Sequence, residues 1–231
     1  MEFVSRENEI FRTLKGLAEQ VDFVVVGGYA VTGLGKHRFS VDCDVVIPKK
    51  GMSQTETVLE RYGYEKDVEK KGIDETYAGE FIRYKKKMGE LPVTFDLLVE
   101  SLVCRTSGAS WSFDYIEKHA VETNIGGIEA SAKCRVPEKE LMVAFKIHSG
   151  RRTDVRDIVV LLENSDLNKV LTHLRRGHID ALKKQVDSIT TMLNDEKLVD
   201  SLKGVFTLTV DVRKRIADAQ EKMASLQKAL V

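Results

Sequence analysis

The sequence contains few of the residues that cross-link or stiffen a chain. Only three prolines and one tryptophan occur among its 231 residues, and the three cysteines, Cys43, Cys104 and Cys134, are far apart. Because no two of them form a CxxC pair, the pattern does not indicate a zinc ribbon. An odd number of cysteines is typical of proteins kept in a reducing compartment. We therefore expect a cytoplasmic protein.

Long apolar runs and an excess of one charge are also absent. No apolar stretch approaches the roughly 20 residues of a membrane helix, and residues 1–6 lack the segments of a signal peptide. The 36 Lys and Arg residues balance the 36 Asp and Glu residues, which argues against a dedicated non-specific DNA binder. The expectation is a soluble protein with no membrane partner.

Hydrophobic periodicity predicts an α/β (α+β) fold followed by a helical C-terminal region. Strands alternate with helices up to Pro137, and helix-forming residues dominate after it. The predicted strands are residues 23–26, 44–47, 81–86, 92–99, 120–123 and 128–132. The predicted helices are residues 6–20, 29–34, 53–62, 138–148, 154–162, 167–176, 179–193 and 210–230. A domain boundary near Asn164 gives a domain of residues 1–163 and a helical region of residues 164–231.

Three local signals sharpen this prediction. Ser5 is the expected N-cap of the first helix, and Ser53 with Glu56 forms a capping box before the third. Residues 124–127, Asn-Ile-Gly-Gly, predict the turn of a hairpin.

The most informative segment joins a buried strand, two glycines and a pair of aspartates. Val24–Val26 is an apolar run that ends at Gly27 and Gly28, the pattern of a buried strand. Glycine allows the backbone to approach a ligand, and the start of a following helix attracts phosphate. Asp42 and Asp44 stand at the entry of the next apolar strand, where aspartate is disfavoured. A local conflict of this kind favours a functional site.

Two aspartates separated by one residue can hold a metal ion. Residues i and i+2 of a strand point to the same face, so Asp42 and Asp44 can converge, and their oxygens suit Mg²⁺ or Mn²⁺. Such ions bridge a triphosphate, activate a nucleophile and stabilise leaving pyrophosphate. The pattern therefore predicts transfer of a nucleoside monophosphate. A third carboxylate is expected on another strand, and Asp96 is the only carboxylate in Val93–Val99.

The arrangement resembles the signature of the DNA polymerase β-like nucleotidyltransferases. It is most similar to their AbiEii-like branch, from abortive-infection and toxin–antitoxin systems. The branch pattern of Gly-Gly, a short helix and Arg-x-Ser/Thr-x-Asp-x-Asp stands here as Gly27-Gly28 and Arg38-Phe39-Ser40-Val41-Asp42-Cys43-Asp44. The resemblance covers residues 20–163. Val160 stands where a further aspartate often occurs in the branch.

The resemblance implies a nucleotidyltransferase-type mixed sheet flanked by helices, and a Mg²⁺- or Mn²⁺-dependent transfer of NMP from an NTP, such as ATP, to an acceptor hydroxyl. It assigns catalysis and metal binding to Asp42, Asp44 and Asp96. It assigns nucleotide binding to Gly27, Gly28, Arg38, Ser40, Lys146 and Arg152.

The resemblance leaves the acceptor and the partners open. RNA (a tRNA 3′ end, for example), a protein and a small molecule are all used by related enzymes, and a toxin would have an antitoxin partner. The helical region 164–231 is expected to bind a substrate or partner. The apolar stripe in residues 210–230 indicates core packing or a homodimer.

Each assignment has a structural alternative. Asp96 could pair with a neighbouring basic residue, Lys146 could face solvent, and Arg152 and Asp157 could form a surface ion pair of little energetic weight. The two glycines could form a plain turn, and residues 38–40 a solvated connector. For the whole protein, the alternatives are a non-catalytic member of the fold that binds a nucleotide or a partner, and an interaction module with structural carboxylates.

Overall fold

The chain divides into two compact units. The computed structural model describes residues 2–206 and 211–230. The first unit takes in the chain up to Val103 together with residues 110–137, and the second takes in residues 104–109 and the chain from Glu138 onward. Within the described residues, no helix has both the length and the apolar character needed to cross a bilayer. The division into functional domains at residues 163 and 164 stays a prediction.

A mixed five-stranded sheet is the centre of the first unit. Its strands are β1 (Val24–Val26), β2 (Asp42–Ile47), β3 (Glu65–Asp74), β4 (Gly79–Met88) and β5 (Leu91–Val99). Their order across the sheet is β1-β2-β5-β4-β3. The neighbours β2 and β5 run parallel, whereas the other neighbouring strands run antiparallel. The predicted mixed sheet is confirmed.

Helices and two short strand pairs complete this unit. The helices are α1 (Glu2–Ala18), α2 (Gly27–Gly33), α3 (Met52–Arg61) and α4 (Phe113–Lys118). The strand pairs are β6 (Ser101–Cys104) with β7 (Ala109–Ser112), of which Cys104 and Ala109 are assigned to the second unit, and β8 (Ala120–Gly126) with β9 (Ser131–Pro137). The predicted apolar stripe of α1 is confirmed, because Ile10, Leu14 and Leu17 are buried. Each such side chain contributes about 1.5–3 kcal/mol when fully buried, and this attaches the helix to the unit.

Both predicted helix caps are wrong. α1 begins at Glu2, so Ser5 lies inside the helix. α3 has Gly51 at its N-cap with no side-chain hydrogen bond. Ser53 therefore lies in the first turn of α3 and not before it.

The strand predictions miss β3, β6 and β7 and misplace one hairpin turn. β3 was not predicted, because it is a charged and largely exposed edge strand without apolar alternation. The predicted hairpin turn at residues 124–127 falls later, since Gly126 of β8 lies opposite Ser131 of β9. Residues 127–130 form the connection, so the strand predicted at 128–132 begins too early and overlaps β9 only at residues 131–132.

The second unit is helical, as predicted. Its helices are α5 (Lys139–Ser149), α6 (Arg152–Leu161), α7 (Leu167–Leu174), α8 (Ile179–Leu193), α9 (Lys197–Val205) and α10 (Val212–Ala229). α9 was missed, although Leu198 and Leu202 are buried at helical spacing. The predicted start of the last helix, Val210, lies outside the described residues. The stripe on α10 is buried within this chain, so it forms core, and a homodimer through these helices stays a prediction.

His148 of α5 is buried in the second unit. Its Nε2 lies 2.8 Å from the carbonyl oxygen of Leu174, and its Nδ1 lies 2.7 Å from Oγ of Ser107. Because a carbonyl only accepts, Nε2 carries the proton and Nδ1 accepts from the Ser107 hydroxyl. Burial, assisted by the charge of Arg176, lowers the pKa of His148 to about 4. The imidazole is therefore neutral at pH 7.

The free energy of unfolding is expected to fall as the pH drops from about 6.5 to about 4. The unfolded chain binds the proton first, with a pKa of about 6.5, so the contribution of His148 is complete above that pH and is lost across the window. Its size is about 3 kcal/mol, since one pKa unit is about 1.4 kcal/mol. Urea unfolding should show a flatter pH dependence for His148→Gln and an unchanged one for the exposed His37→Gln. Equal slopes for His148→Gln and the wild type would contradict this assignment.

Candidate active site

Gly27 joins β1 to α2 in a backbone conformation that favours glycine. Its φ is +64°, and the left-handed conformation costs other residues about 1–2 kcal/mol. A Cβ built on Gly27 would also overlap Oδ2 of Asp44. Glycine is therefore required here both by the backbone and by the carboxylate that approaches it. A plain turn would impose only the first requirement.

β2 carries two aspartates on one face. Asp42 and Asp44 are half-buried and separated by one residue, so their side chains point to the same side. Asp44 lies opposite Val26 of β1 and Asp96 of β5. Thr94 lies opposite Asp42 and donates a 2.6 Å hydrogen bond to its Oδ1. The three carboxylates share one face of two parallel strands, and we call Asp42, Asp44 and Asp96 the acidic site.

Both oxygens of Asp96 accept hydrogen bonds from Arg83. Nε of Arg83 lies 2.7 Å from Oδ1 and Nη2 lies 2.6 Å from Oδ2, the fork geometry of a strong guanidinium–carboxylate pair. These hydrogen bonds raise the pKa of Arg83 above its usual range, and the charges of Asp42 and Asp44 raise it further. This geometry agrees with the alternative stated for Asp96 in the sequence analysis, in which the carboxylate pairs with a neighbouring basic residue. Metal binding by Asp96 stays a prediction.

Sequence patterns did not single out Arg83. It lies in a stretch whose apolar alternation is weak, and its partner is 13 residues away. The signal that could have found it is the turn at residues 89–90. A tight hairpin around that turn pairs β4 with β5 and puts residue 83 opposite residue 96.

Arg38 and Ser40 lie against the start of α2. A Cβ built on Gly28 would lie 2.7 Å from Cβ of Ser40 and 3.0 Å from Nη2 of Arg38. The Ser40 hydroxyl donates to the carbonyl oxygen of Asp42 at 3.2 Å, and Thr32 Oγ1 donates to that of Arg38 at 3.1 Å. The segment is therefore held against the glycine pair and is not a solvated connector. Its role in nucleotide binding stays a prediction.

Comparison with known proteins identifies the fold. No family model matches the sequence, and no curated protein matches it. A candidate nucleotidyltransferase from Helicobacter pylori is 18% identical to this chain in sequence. The structural alignment includes 99% of this chain and 96% of the Helicobacter chain, with a TM-score of 0.50. The chain has a nucleotidyltransferase fold. JHP933 from Helicobacter pylori is also 18% identical, and its alignment includes 98% of this chain and 92% of JHP933, with a TM-score of 0.51.

The nucleotidyltransferase fold alone does not decide the activity, because one fold supports many functions. The features of this chain that bear on activity are the acidic site and the glycines beside it. The AbiEii-like branch is a narrower assignment than the fold, and it stays a prediction.

Lys146 of the second unit is buried in a cluster of charges. Its Nζ lies 2.8 Å from Oδ1 of Asp154 and 2.8 Å from Oδ2 of Asp157, and only 6% of its side chain is exposed. Burial raises the pKa of Asp154, but the charge of Lys146 and hydrogen bonds from Arg151 and Lys146 outweigh it and lower the pKa to about 2. The alternative that Lys146 faces solvent is wrong. A role in nucleotide binding stays a prediction.

Arg152, also of the second unit, is largely exposed. Its Nη2 lies 2.7 Å from Oδ2 of Asp195. The alternative that Arg152 and Asp157 form a surface ion pair is wrong, because Asp157 is buried and bonded to Lys146. An exposed pair such as Arg152–Asp195 adds little stability, and nucleotide binding by Arg152 stays a prediction.

The donor chemistry of the acidic site suits a divalent cation of the Mg²⁺ type. Its donors are carboxylate oxygens, the ligands that Mg²⁺ and Mn²⁺ prefer. The missing Cβ of Gly27 leaves room for the Asp44 carboxylate to lie against the backbone. The Thr94 hydroxyl orients Asp42 through its hydrogen bond to Oδ1. Metal-binding carboxylates are commonly oriented by hydrogen bonds of this kind.

Proposed function

We propose that the protein is a Mg²⁺- or Mn²⁺-dependent nucleotidyltransferase that moves NMP from an NTP to an acceptor hydroxyl. The proposal depends on one observation. The Asp44 carboxylate lies against Gly27, and Asp42 and Asp96 lie on the same face of the sheet beside it. A strand–Gly-Gly–helix segment suits a triphosphate, and neighbouring carboxylates suit the cation that accompanies it. Together they describe a site for a metal–nucleotide complex.

In this proposal the residues of the first unit have distinct roles. Asp42 and Asp44 would hold the metal, which when bound supplies charge to the triphosphate and to the attacking hydroxyl. Gly27 and Gly28 let the triphosphate approach the backbone, since neither carries a side chain. Arg38 would contribute positive charge beside the glycines. Ser40 would keep that segment in place through its hydrogen bond to the backbone of Asp42.

The proposed reaction exchanges one bond to phosphorus for another. The acceptor oxygen forms a bond to the α-phosphorus, and the bond from that phosphorus to pyrophosphate breaks, with its electron pair leaving on pyrophosphate. The acceptor proton passes to a carboxylate, for which Asp96 is the candidate. The products are the nucleotidylated acceptor and pyrophosphate.

The narrower features of the proposal come from the resemblance in sequence. The Arg-x-Ser-x-Asp-x-Asp pattern of residues 38–44 supports an AbiEii-like enzyme, and with it a toxin that an antitoxin neutralises. The acceptor would be RNA, a protein or a small molecule, with ATP one of four candidate donors. Residues 164–231 would bind the acceptor or a partner.

The test supplies the protein with each α-labelled NTP, Mg²⁺, total RNA and cell lysate, and measures NTP binding, label transfer and pyrophosphate release. Label is expected on a macromolecule with the wild type and not with Asp42→Asn/Asp44→Asn. Pyrophosphate release that requires an extract of small molecules, without macromolecular label, would indicate a small-molecule acceptor. Absence of NTP binding under all these conditions would overturn the proposal.

One observation favours a non-catalytic member of the fold as the second candidate. Both Asp96 oxygens are engaged by Arg83, and a carboxylate held in this way is a poor base. Mg²⁺-dependent NTP binding without label transfer or pyrophosphate release, from any acceptor mixture, would favour this candidate.

A further inference from the structure

We propose that Arg83 is the resident counter-cation of the acidic site, and that its guanidinium competes with a divalent metal ion for Asp96. The proposal rests on the proposed function, because it takes the acidic site as the metal site. Arg83 is a positioning residue in this scheme, since it acts through Asp96.

The sheet register puts Arg83, Asp96 and Asp44 in one row across three neighbouring strands. Arg83 of β4 lies opposite Asp96 of β5, which lies opposite Asp44 of β2. Directly opposite residues on neighbouring strands have side chains on the same face. A cation that binds Asp44 and Asp96 therefore arrives beside the guanidinium of Arg83.

Competition follows from the hydrogen bonds of Asp96. The Arg83 fork uses both carboxylate oxygens, so a metal ion must displace it or share the remaining lone pairs. The guanidinium also repels the metal by ordinary Coulomb forces, which are strong where the site is shielded from water. Both effects weaken metal binding while the Arg83–Asp96 pair is intact.

The burial of the two partners fits such an exchange. Asp96 is almost fully buried, with 7% of its side chain exposed, whereas 36% of the Arg83 side chain is exposed. Without a positive partner, Asp96 would be a buried charge with a large desolvation penalty. Arg83 supplies that partner in the absence of metal, and its side chain is already partly in contact with solvent.

The test measures Mn²⁺ affinity by electron paramagnetic resonance, with no nucleotide and no acceptor present. Arg83→Gln removes the charge and the fork, and is expected to bind Mn²⁺ about 5- to 10-fold more tightly than the wild type. The matched control is Lys85→Gln, which removes one positive charge from the same face of β4. Lys85 is half exposed and paired with Asp67, so its removal should change the affinity less than about twofold.

The outcomes separate this inference from the proposed function. Binding that Asp42→Asn/Asp44→Asn abolishes and Arg83→Gln tightens supports both. Binding that the double variant abolishes but Arg83→Gln leaves equal or weaker overturns the counter-cation and leaves the metal site standing. No Mn²⁺ binding by either the wild type or Arg83→Gln overturns the counter-cation, and the proposed function is then decided by the label-transfer test with nucleotide present.

A second variant decides the matter if Arg83→Gln does not fold, as judged by circular dichroism. Arg83→Lys keeps the charge but loses the fork. Tightening of at least about twofold with Arg83→Lys would support competition for the Asp96 oxygens, and unchanged affinity would then overturn the inference.

Discussion

Gly27→Ala is expected to lower kcat/KM for nucleotidyl transfer at least about 10²-fold in a protein that still folds. The added methyl group would overlap Oδ2 of Asp44, so the carboxylate must move away from its position beside Asp42. A displacement of about 1 Å in a positioned group costs about 10²-fold in rate. The change acts on Asp44, a proposed metal ligand, without altering the charge of the acidic site.

Gly35→Ala is the matched control for this variant. Gly35 also has a positive φ, +81°, but nothing lies within 4 Å of a Cβ built on it. Both variants therefore carry the backbone strain of about 1–2 kcal/mol, and only Gly27→Ala carries the overlap. Thermal unfolding should move to lower temperature in both, whereas kcat/KM and Mn²⁺ affinity should fall in Gly27→Ala alone. A parallel loss of activity in the two variants would mean that strain alone explains the result.

Lys146→Met is expected to lower the free energy of unfolding by about 3–5 kcal/mol. The substitution leaves the buried carboxylates of Asp154 and Asp157 without the ammonium group that lies 2.8 Å from each. Removing one partner of a buried ion pair strongly destabilises a protein, because a charge stays buried without compensation. Urea unfolding at pH 7 measures the difference. Lys184→Met, a substitution of an exposed lysine of α8, should stay within about 0.5 kcal/mol of the wild type.

The same variant tests the predicted role of Lys146 in nucleotide binding. If Lys146 acts only within its buried cluster, NTP affinity measured below the unfolding transition should equal that of the wild type. An affinity loss of tenfold or more in folded Lys146→Met would instead assign the lysine to the nucleotide site. A variant as stable as the wild type would contradict the structural role.

The local part of the candidate site could be predicted from the sequence. Gly27, Asp42 and Asp44 lie within 18 residues, and the strand periodicity of two fixes the common face of the aspartates. Asp96 could be selected because a lone carboxylate in an apolar strand needs a partner. Its partner Arg83 was missed, because finding it requires the register in which β4 pairs with β5 around the turn at residues 89–90.

Lys146 shows how a sequence pattern can be present and still be misjudged. Residues 141–148 of α5 are all buried, so this helix has no exposed face there. The stretch Leu-Met-Val-Ala-Phe-Lys-Ile-His is apolar nearly all round, which is typical of a central helix. The general rule that lysines face solvent therefore fails at a position where the surrounding residues already indicated burial.

The parallel neighbours β2 and β5 have a consequence for how the protein folds. Asp42 and Thr94 touch across these strands although 52 residues separate them in the chain, and that intervening segment contains α3, β3 and β4. Closing such a long segment is entropically unfavourable and slows folding. The acidic site should therefore be among the last features to form. A chain in which β2 and β5 are still unpaired would have its glycine turn and its first two aspartates but no third carboxylate beside them.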